Sequence, residues 1–243
     1  MGDALLKDTN EITIKDSQLN FIIELNKSLD IITSELKEYL KDIKAHSVDR
    51  DVRSNLNEIL ADNYEHNQQI MYLNFNYTST IELYLGETEK SNVNYIHGDL
   101  RDKDNPIIFG YGDEPNQHYV KIENLNNNEL TRHLKSFSYL KTYNYQKLFN
   151  FLEKGEFNVY IMGHSCGISD RVLFTNILNH HNFKNGKIKL YYYHYGTEEW
   201  DNDFFQKTQE LSRHFDINSK HLMRTKVVPF SDSKPLTPYK PIN

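Results

Sequence analysis

The chain has 243 residues, a formal net charge of −6, 38% hydrophobic and 26% charged residues. That suits a globular domain with its own core and argues against a surface built mainly to hold nucleic acid, which needs an excess of Lys and Arg. A single cysteine, Cys166, excludes an internal disulfide framework and fits a reducing compartment. No apolar run nears the roughly 20 residues that cross a bilayer, and Met1 to Asp16 lacks the apolar centre of a signal peptide. The expectation is a cytoplasmic protein with neither membrane nor nucleic acid as its primary partner.

From Asp16 to Lys44, Leu19, Ile22, Ile23, Leu29, Ile32, Leu36, Leu40 and Ile43 recur mostly at intervals of three or four, which predicts an amphipathic helix with one long apolar stripe. A weaker helical pattern covers Val52 to Ala61. The period then changes, predicting strands at Ile70–Tyr77, Val93–His97 and Pro106–Tyr111. Asp113 to Asn128 is polar and Asn-rich and reads as a surface loop or lid.

A long helix is predicted from Glu129 to Glu153, stopped by Gly155. Phe157–Met162 reads as an apolar strand that Gly163-His164-Ser165-Cys166-Gly167 turns into a helix, with Ser169 as N-cap and Asp170 in its first turn. Lys187–His194 reads as a strand, Glu198–Phe215 as a helix and Lys226–Phe230 as a last strand. The alternation predicts an α/β, Rossmann-like parallel sheet flanked by helices. Three parts follow: a helical segment 1–66, an α/β nucleotide-binding-like domain 67–231, and a polar tail 232–243. The 17 Tyr and 13 Phe let a polar chain build that core, because a tyrosine ring packs while its hydroxyl reaches a polar partner.

Three strand ends carry polar side chains, the place where open α/β sheets hold ligands. The first has Asn74, Asn76 and Thr78, with Glu82 behind, at a helix start suited to an anion; either Asn serves equally well to cap the turn. The second has His97 before Gly98. A histidine there is a candidate general base, or a structural side chain held by a carbonyl, and glycine admits a close approach. The third has Gly163, His164 and Ser165 with Asp170. Its Gly-x-Ser-x-Gly letters also fit a nucleophile elbow, with Asp201 or Asp203 and His214 or His221 as partners; a turn lining a nucleotide phosphate explains the same residues without a triad. No Cys pair or His-x-x-x-His spacing points to a metal.

Taken in order, Phe75-Asn76-Tyr77-Thr78 with Glu82, Ile96-His97-Gly98, Ile107-Ile108-Phe109-Gly110, Met162-Gly163-His164-Ser165 with Asp170, and the Tyr191 strand resemble the bacteriophage abortive-infection AbiH family over about Met71 to Ser231. The arrangement is also distantly similar to the sirtuin-like NAD-binding fold. The resemblance implies a bacterial antiphage factor that arrests or sacrifices the infected cell, with NAD or a related nucleotide as ligand or substrate of N-glycosidic cleavage. In that reading Asn76 positions a water or the ribose, and His97 is the base. Thr78, Glu82, Gly98, Gly163, His164, Ser165 and Asp170 line the nucleotide. A non-catalytic sensor or assembly module that retains the nucleotide pocket, or only the nucleotide-binding fold, is the alternative. Family members open with a strand and a Gly-Asn-Gly-Phe-Asp-type turn, whereas Gly2 is the one glycine here before Gly86. The expectation is therefore that a further segment, a partner chain or a second copy completes the sheet edge.

Overall fold

The structure, a computed structural model, describes residues 14–43, 47–65, 68–112, 117–196, 198 and 200–237. The chain start up to residue 13, residues 113–116 of the expected lid and the end of the expected tail lie outside them. The fold is mixed α/β with a helical amino-terminal portion. Among the described residues five strands form two parallel sheets rather than one. In the first, β1 (Tyr72–Asn74) pairs with β2 (Val93–Tyr95), Leu73 opposite Asn94. In the second, β3 (Val159–Met162), β4 (Ile188–Tyr193) and β5 (Lys234–Thr237) lie in that order.

Helices α1 (Asp16–Lys41) and α2 (Arg50–Glu65) precede the strands. α2 ties the two sheets together. Its Leu56 packs with Tyr72 and Leu85, and its Ile59 packs with Tyr191 of β4 and Leu236 of β5. The opposite side carries α6 (Asn144–Leu152), α7 (Arg171–Leu178) and α8 (Phe204–Ser212), following the short helices α3 (Glu87–Lys90), α4 (Gln117–Asn124) and α5 (Lys135–Ser138). Leu148, Leu152, Leu173 and Ile177 bury against Leu73 and Val159. Phe174, Phe204 and Leu211 bury against Leu190 and Tyr192. Tyr191 and Tyr192 thus sit in different clusters, as the two-residue repeat of a strand with both faces covered requires.

Several sequence expectations shift. The first strand stops at Asn74 because the Asn74 amide turns back to the carbonyls of Asn76 and Thr78, at 3.1 and 3.2 Å. Pro106–Tyr111 forms no strand of either sheet: the Ile108 amide donates to the His97 carbonyl at 2.8 Å, and Tyr111 makes one isolated bridge to Leu134. The expected lid contains α4. The single helix expected from Glu129 to Glu153 is broken into short turns, α5 and α6, interrupted by Thr142 in extended conformation.

α8 begins at Phe204, after an antiparallel bridge between His194 and Asn202. Residues 220–226 form a helix, α9 (Lys220–Lys226), and the expected strand at Lys226–Phe230 reduces to a bridge from Val227 to Ile188. The last strand is instead β5, in the segment read as a tail. Pro235 can stand there because β5 is an edge strand, where a missing amide donor breaks no ladder. No helix among the described residues is long and apolar enough to cross a membrane.

Candidate functional site

The carboxyl ends of β1, β2 and β3 converge on Asp170, at the N-cap position of α7. Its carboxylate is buried and gathers four side chains. Lys135 Nζ lies 2.8 Å from Oδ1 and His97 Nε2 lies 3.1 Å from the same oxygen; His164 Nε2 lies 3.6 Å from Oδ2. Ser169 Oγ donates to Oδ2 at 3.3 Å, so Ser169 supports the carboxylate instead of capping the helix.

Each of these groups has its own anchor. Lys135 opens α5, where its amide donates to the Tyr111 carbonyl at 3.0 Å. His97 follows β2 and lies 3.2 Å from the Tyr139 hydroxyl, with the two rings stacked at 6.1 Å. Phe75, just past β1, meets His97 edge-on at 5.1 Å and His164 at 4.2 Å. Tyr77 Oη donates to the Ile108 carbonyl at 3.0 Å.

The charges follow from burial. Burial alone would raise the Asp170 carboxyl, but hydrogen bonds from His164, His97 and Lys135 outweigh it and hold the group well below the usual carboxylate range. Burial lowers His97, and the Lys135 ammonium adds to that against the Asp170 hydrogen bond, so His97 is a neutral imidazole near pH 7. With Asp170 as the acceptor the proton sits on Nε2, which leaves the ring lone pair on Nδ1. Burial and the Asp170 charge push the Tyr77 phenol up to about 12.

The turn after β3 is built to present His164. Gly163 takes φ +78° and Cys166 φ +57°, a left-handed conformation that costs a non-glycine residue about 1–3 kcal/mol. The Cys166 amide donates to His164 Nδ1 at 2.9 Å, which leaves the proton on Nε2, facing Asp170. Cys166 is fully buried and its thiol is pushed up to about 12 by burial. His214 is also buried, its Nε2 donating to the Cys166 carbonyl at 2.8 Å. That bond occupies His214, one of the two histidines offered as partner to a Ser165 nucleophile.

The expected site residues thus separate. His97, His164 and Asp170 meet. Ser165 and Gly163 lie exposed on the turn, and Asn76 is exposed at the end of β1, its backbone held by Asn74. The Thr78 hydroxyl pairs with that of Thr80 at 3.0 Å, and only a four-residue 3₁₀ turn, Thr80–Leu83, follows, so no full helix terminus faces a phosphate there. Glu82 is taken by Arg101, whose Nη2 lies 2.6 Å away; the same guanidinium holds Asp99 at 2.7 Å. Gly98 has φ +96°, and a Cβ there would overlap the Pro106 carbonyl oxygen and come 2.6 Å from Ile107 Cα. Its role is to let residues 106–108 pass close beside it.

Lys135 and Tyr139 join the site without any motif to announce them. Two clefts lie elsewhere: one of about 680 Å³ beside Met71, Asn92 and Lys147, the other of about 330 Å³ beside Arg171, Arg213 and Lys220. Glu153, His180 and His181 also converge, at 3.2 and 3.4 Å. There the Asn182 amide donates to His180 Nδ1 at 3.3 Å, which turns His180 Nε2 toward Glu153, and the three side chains offer one ligand atom each, close enough together to hold a metal ion.

The family model for bacteriophage abortive infection AbiH matches residues 1–192. No curated protein and no solved structure matches the chain. The matched span contains every residue of the Asp170 centre; α8, α9 and β5 lie beyond it.

Proposed function

We propose, given that the chain belongs to the bacteriophage abortive infection AbiH family, that it is an antiphage effector acting through the Asp170 centre on a nucleotide of the NAD type. The observation that carries this reading is the His97–Asp170 pair. A carboxylate at 3.1 Å fixes the Nε2 proton and leaves Nδ1 as a base, neutral at pH 7 because burial disfavours the imidazolium. In N-glycosidic hydrolysis such a base takes a proton from water while the water oxygen bonds to the anomeric carbon and the C–N bond to nicotinamide breaks. Lys135 keeps Asp170 ionised, Asp170 stabilises the imidazolium as it forms, and Asn76 at the exposed end of β1 supplies an amide toward the ribose.

The test is incubation of the purified chain with NAD, with and without extract of phage-infected cells, following nicotinamide release. The reading expects release that His97→Ala abolishes while the protein stays folded. NAD left intact under both conditions refutes it.

The packing of the same centre favours a second reading. His97, Asp170 and Lys135 are each under 10% exposed, and neither cleft is lined by any of them. A closed polar core of this kind suits a sensor or assembly module that keeps the Rossmann-like architecture and binds a nucleotide without cleaving it. Saturable NAD binding with no turnover distinguishes it.

A further inference from the structure

α6 and α7 end beside one another. Glu153 follows Leu152 as the C-cap of α6, and His180 and His181 come just after Leu178, the last residue of α7. The carbonyl ends of two helices favour a cation, yet neither helix has a basic residue in its last turn. Lys154 turns away, its Nζ donating to Gln69 at 2.8 Å. A carboxylate stands at the junction instead. Glu153 Oε1 lies 3.2 Å from His180 Nε2, and Oε2 lies 3.4 Å from His181 Nε2.

We infer that Glu153, His180 and His181 bind a divalent transition-metal ion of the zinc class, with water in the fourth position. All three ligand atoms lie within 4.8 Å of one another. Tetrahedral zinc with ordinary bond lengths sets two ligand atoms about 3.4 Å apart, close to the spacing the carboxylate already keeps from each ring. Two imidazoles and one carboxylate fit zinc, whereas magnesium and calcium take oxygen ligands. Part of the cage is rigid without the ion. The His180 side chain is 7% exposed and packs against Phe149 and Phe157, ring centroids 6.2 and 5.8 Å away. His181 stacks on it at 4.5 Å. Asn182 Nδ2 donates to the Leu152 carbonyl at 2.9 Å, which holds the histidine turn against the end of α6. His181 and Glu153 are both more than half exposed, so the ion and its water enter from solvent. One bond is given up. His180 ligates through Nε2 once its proton has moved to Nδ1, which breaks the Asn182 amide bond there, 3.3 Å and longer than the usual range. The bound ion clamps α6 to the segment after α7, the helix whose other end carries Asp170.

The test titrates the full chain, free of any affinity tag, with zinc and with magnesium by calorimetry, and with cobalt(II) as a spectroscopic stand-in. Zinc is expected to bind, to raise the melting temperature as mass action requires, and to be preferred over magnesium. Cobalt should show the strong visible absorption of a four-coordinate ion. Glu153→Gln and His181→Asn change exposed side chains, so folding should survive. Each should weaken zinc at least about tenfold, because losing even the partner behind a ligand costs ten- to a hundredfold. The chain has 11 histidines, so His221→Asn, at an exposed histidine outside the trio, is the control and should bind as the wild type does. No zinc bound, wild-type affinity in either trio variant, an equal loss in the control, magnesium held as well as zinc, or only the pale spectrum of six-coordinate cobalt (an adventitious ion only) would each overturn the proposal.

Discussion

Lys135 and Asp170 form a buried ion pair, Nζ to Oδ1 2.8 Å, between a four-residue helix and the start of α7. Such a pair gains little over a well-packed apolar replacement, but removing one partner leaves an uncompensated charge. Lys135→Met strands Asp170, and Asp170→Asn strands Lys135. Each should destabilise the fold by about 3–5 kcal/mol, read as a shift of the urea midpoint at constant slope. A cost near zero for Lys135→Met would mean that His97 and His164 suffice to hold the carboxylate.

The same centre sets a pH dependence. His97 and His214 are both lowered by burial, so the unfolded chain binds protons that the folded one refuses. Their contribution is complete above the unfolded value of about 6.5 and falls as pH drops below it. Asp170 is also lowered in the folded state, so its contribution is present above about 4, the unfolded value, and is lost as acid protonates it. Stability should therefore decline in two stages, first below about 6.5 and again below about 4. Urea midpoints measured across this range should show a shallower first stage in His97→Gln; an unchanged first stage would show that His97 binds its proton equally in both states.

Gly98 and Gly167 should respond oppositely to alanine. At Gly98 a left-handed backbone and the Pro106 carbonyl both oppose a Cβ, so Gly98→Ala should cost at least about 1–3 kcal/mol. At Gly167, φ is −65° and the nearest atom to an added Cβ is Ser165 Oγ at 3.5 Å, so the change should stay within about 0.5 kcal/mol. Thermal melting of the two variants side by side checks the contrast.

Cys166 combines complete burial with a thiol pushed up to about 12, and only the thiolate reacts. A disulfide reagent should leave the folded protein unmodified and react with one equivalent of thiol after denaturation. Rapid modification of the native protein would show that the turn after β3 opens.

The elements of the site differed in how clearly the chain announced them. His97, His164 and Asp170 were readable because each follows a short apolar strand and sits at a turn. Lys135 and Tyr139 were not, because residues 129–153 have a continuous helical pattern that tertiary contacts break: the Tyr111 carbonyl takes the Lys135 amide. Thr78 and Glu82 looked like a helix start but are spent on Thr80 and Arg101, partners that sequence spacing does not reveal. β5 was hidden by Pro235, a residue that argues against a central strand and is tolerated at an edge. α9 was hidden because Lys220, Arg224 and Lys226 crowd its apolar pattern.

Asn55 of α2 donates to the carbonyls of Pro235 and Leu236 at 2.9 and 3.0 Å, and Glu58 of the same helix grips Lys234 at 2.6 Å. A helix made early in synthesis thus waits for a strand made late. Until residue 237 has left the ribosome, β4 has an open edge, and Ile59 and Tyr191 lack the Leu236 side chain that seals them. The strand that seals the Ile59–Tyr191 contact is thus made about 170 residues after the helix that holds it, and a chain cut before β5 leaves both that contact and the edge of β4 open.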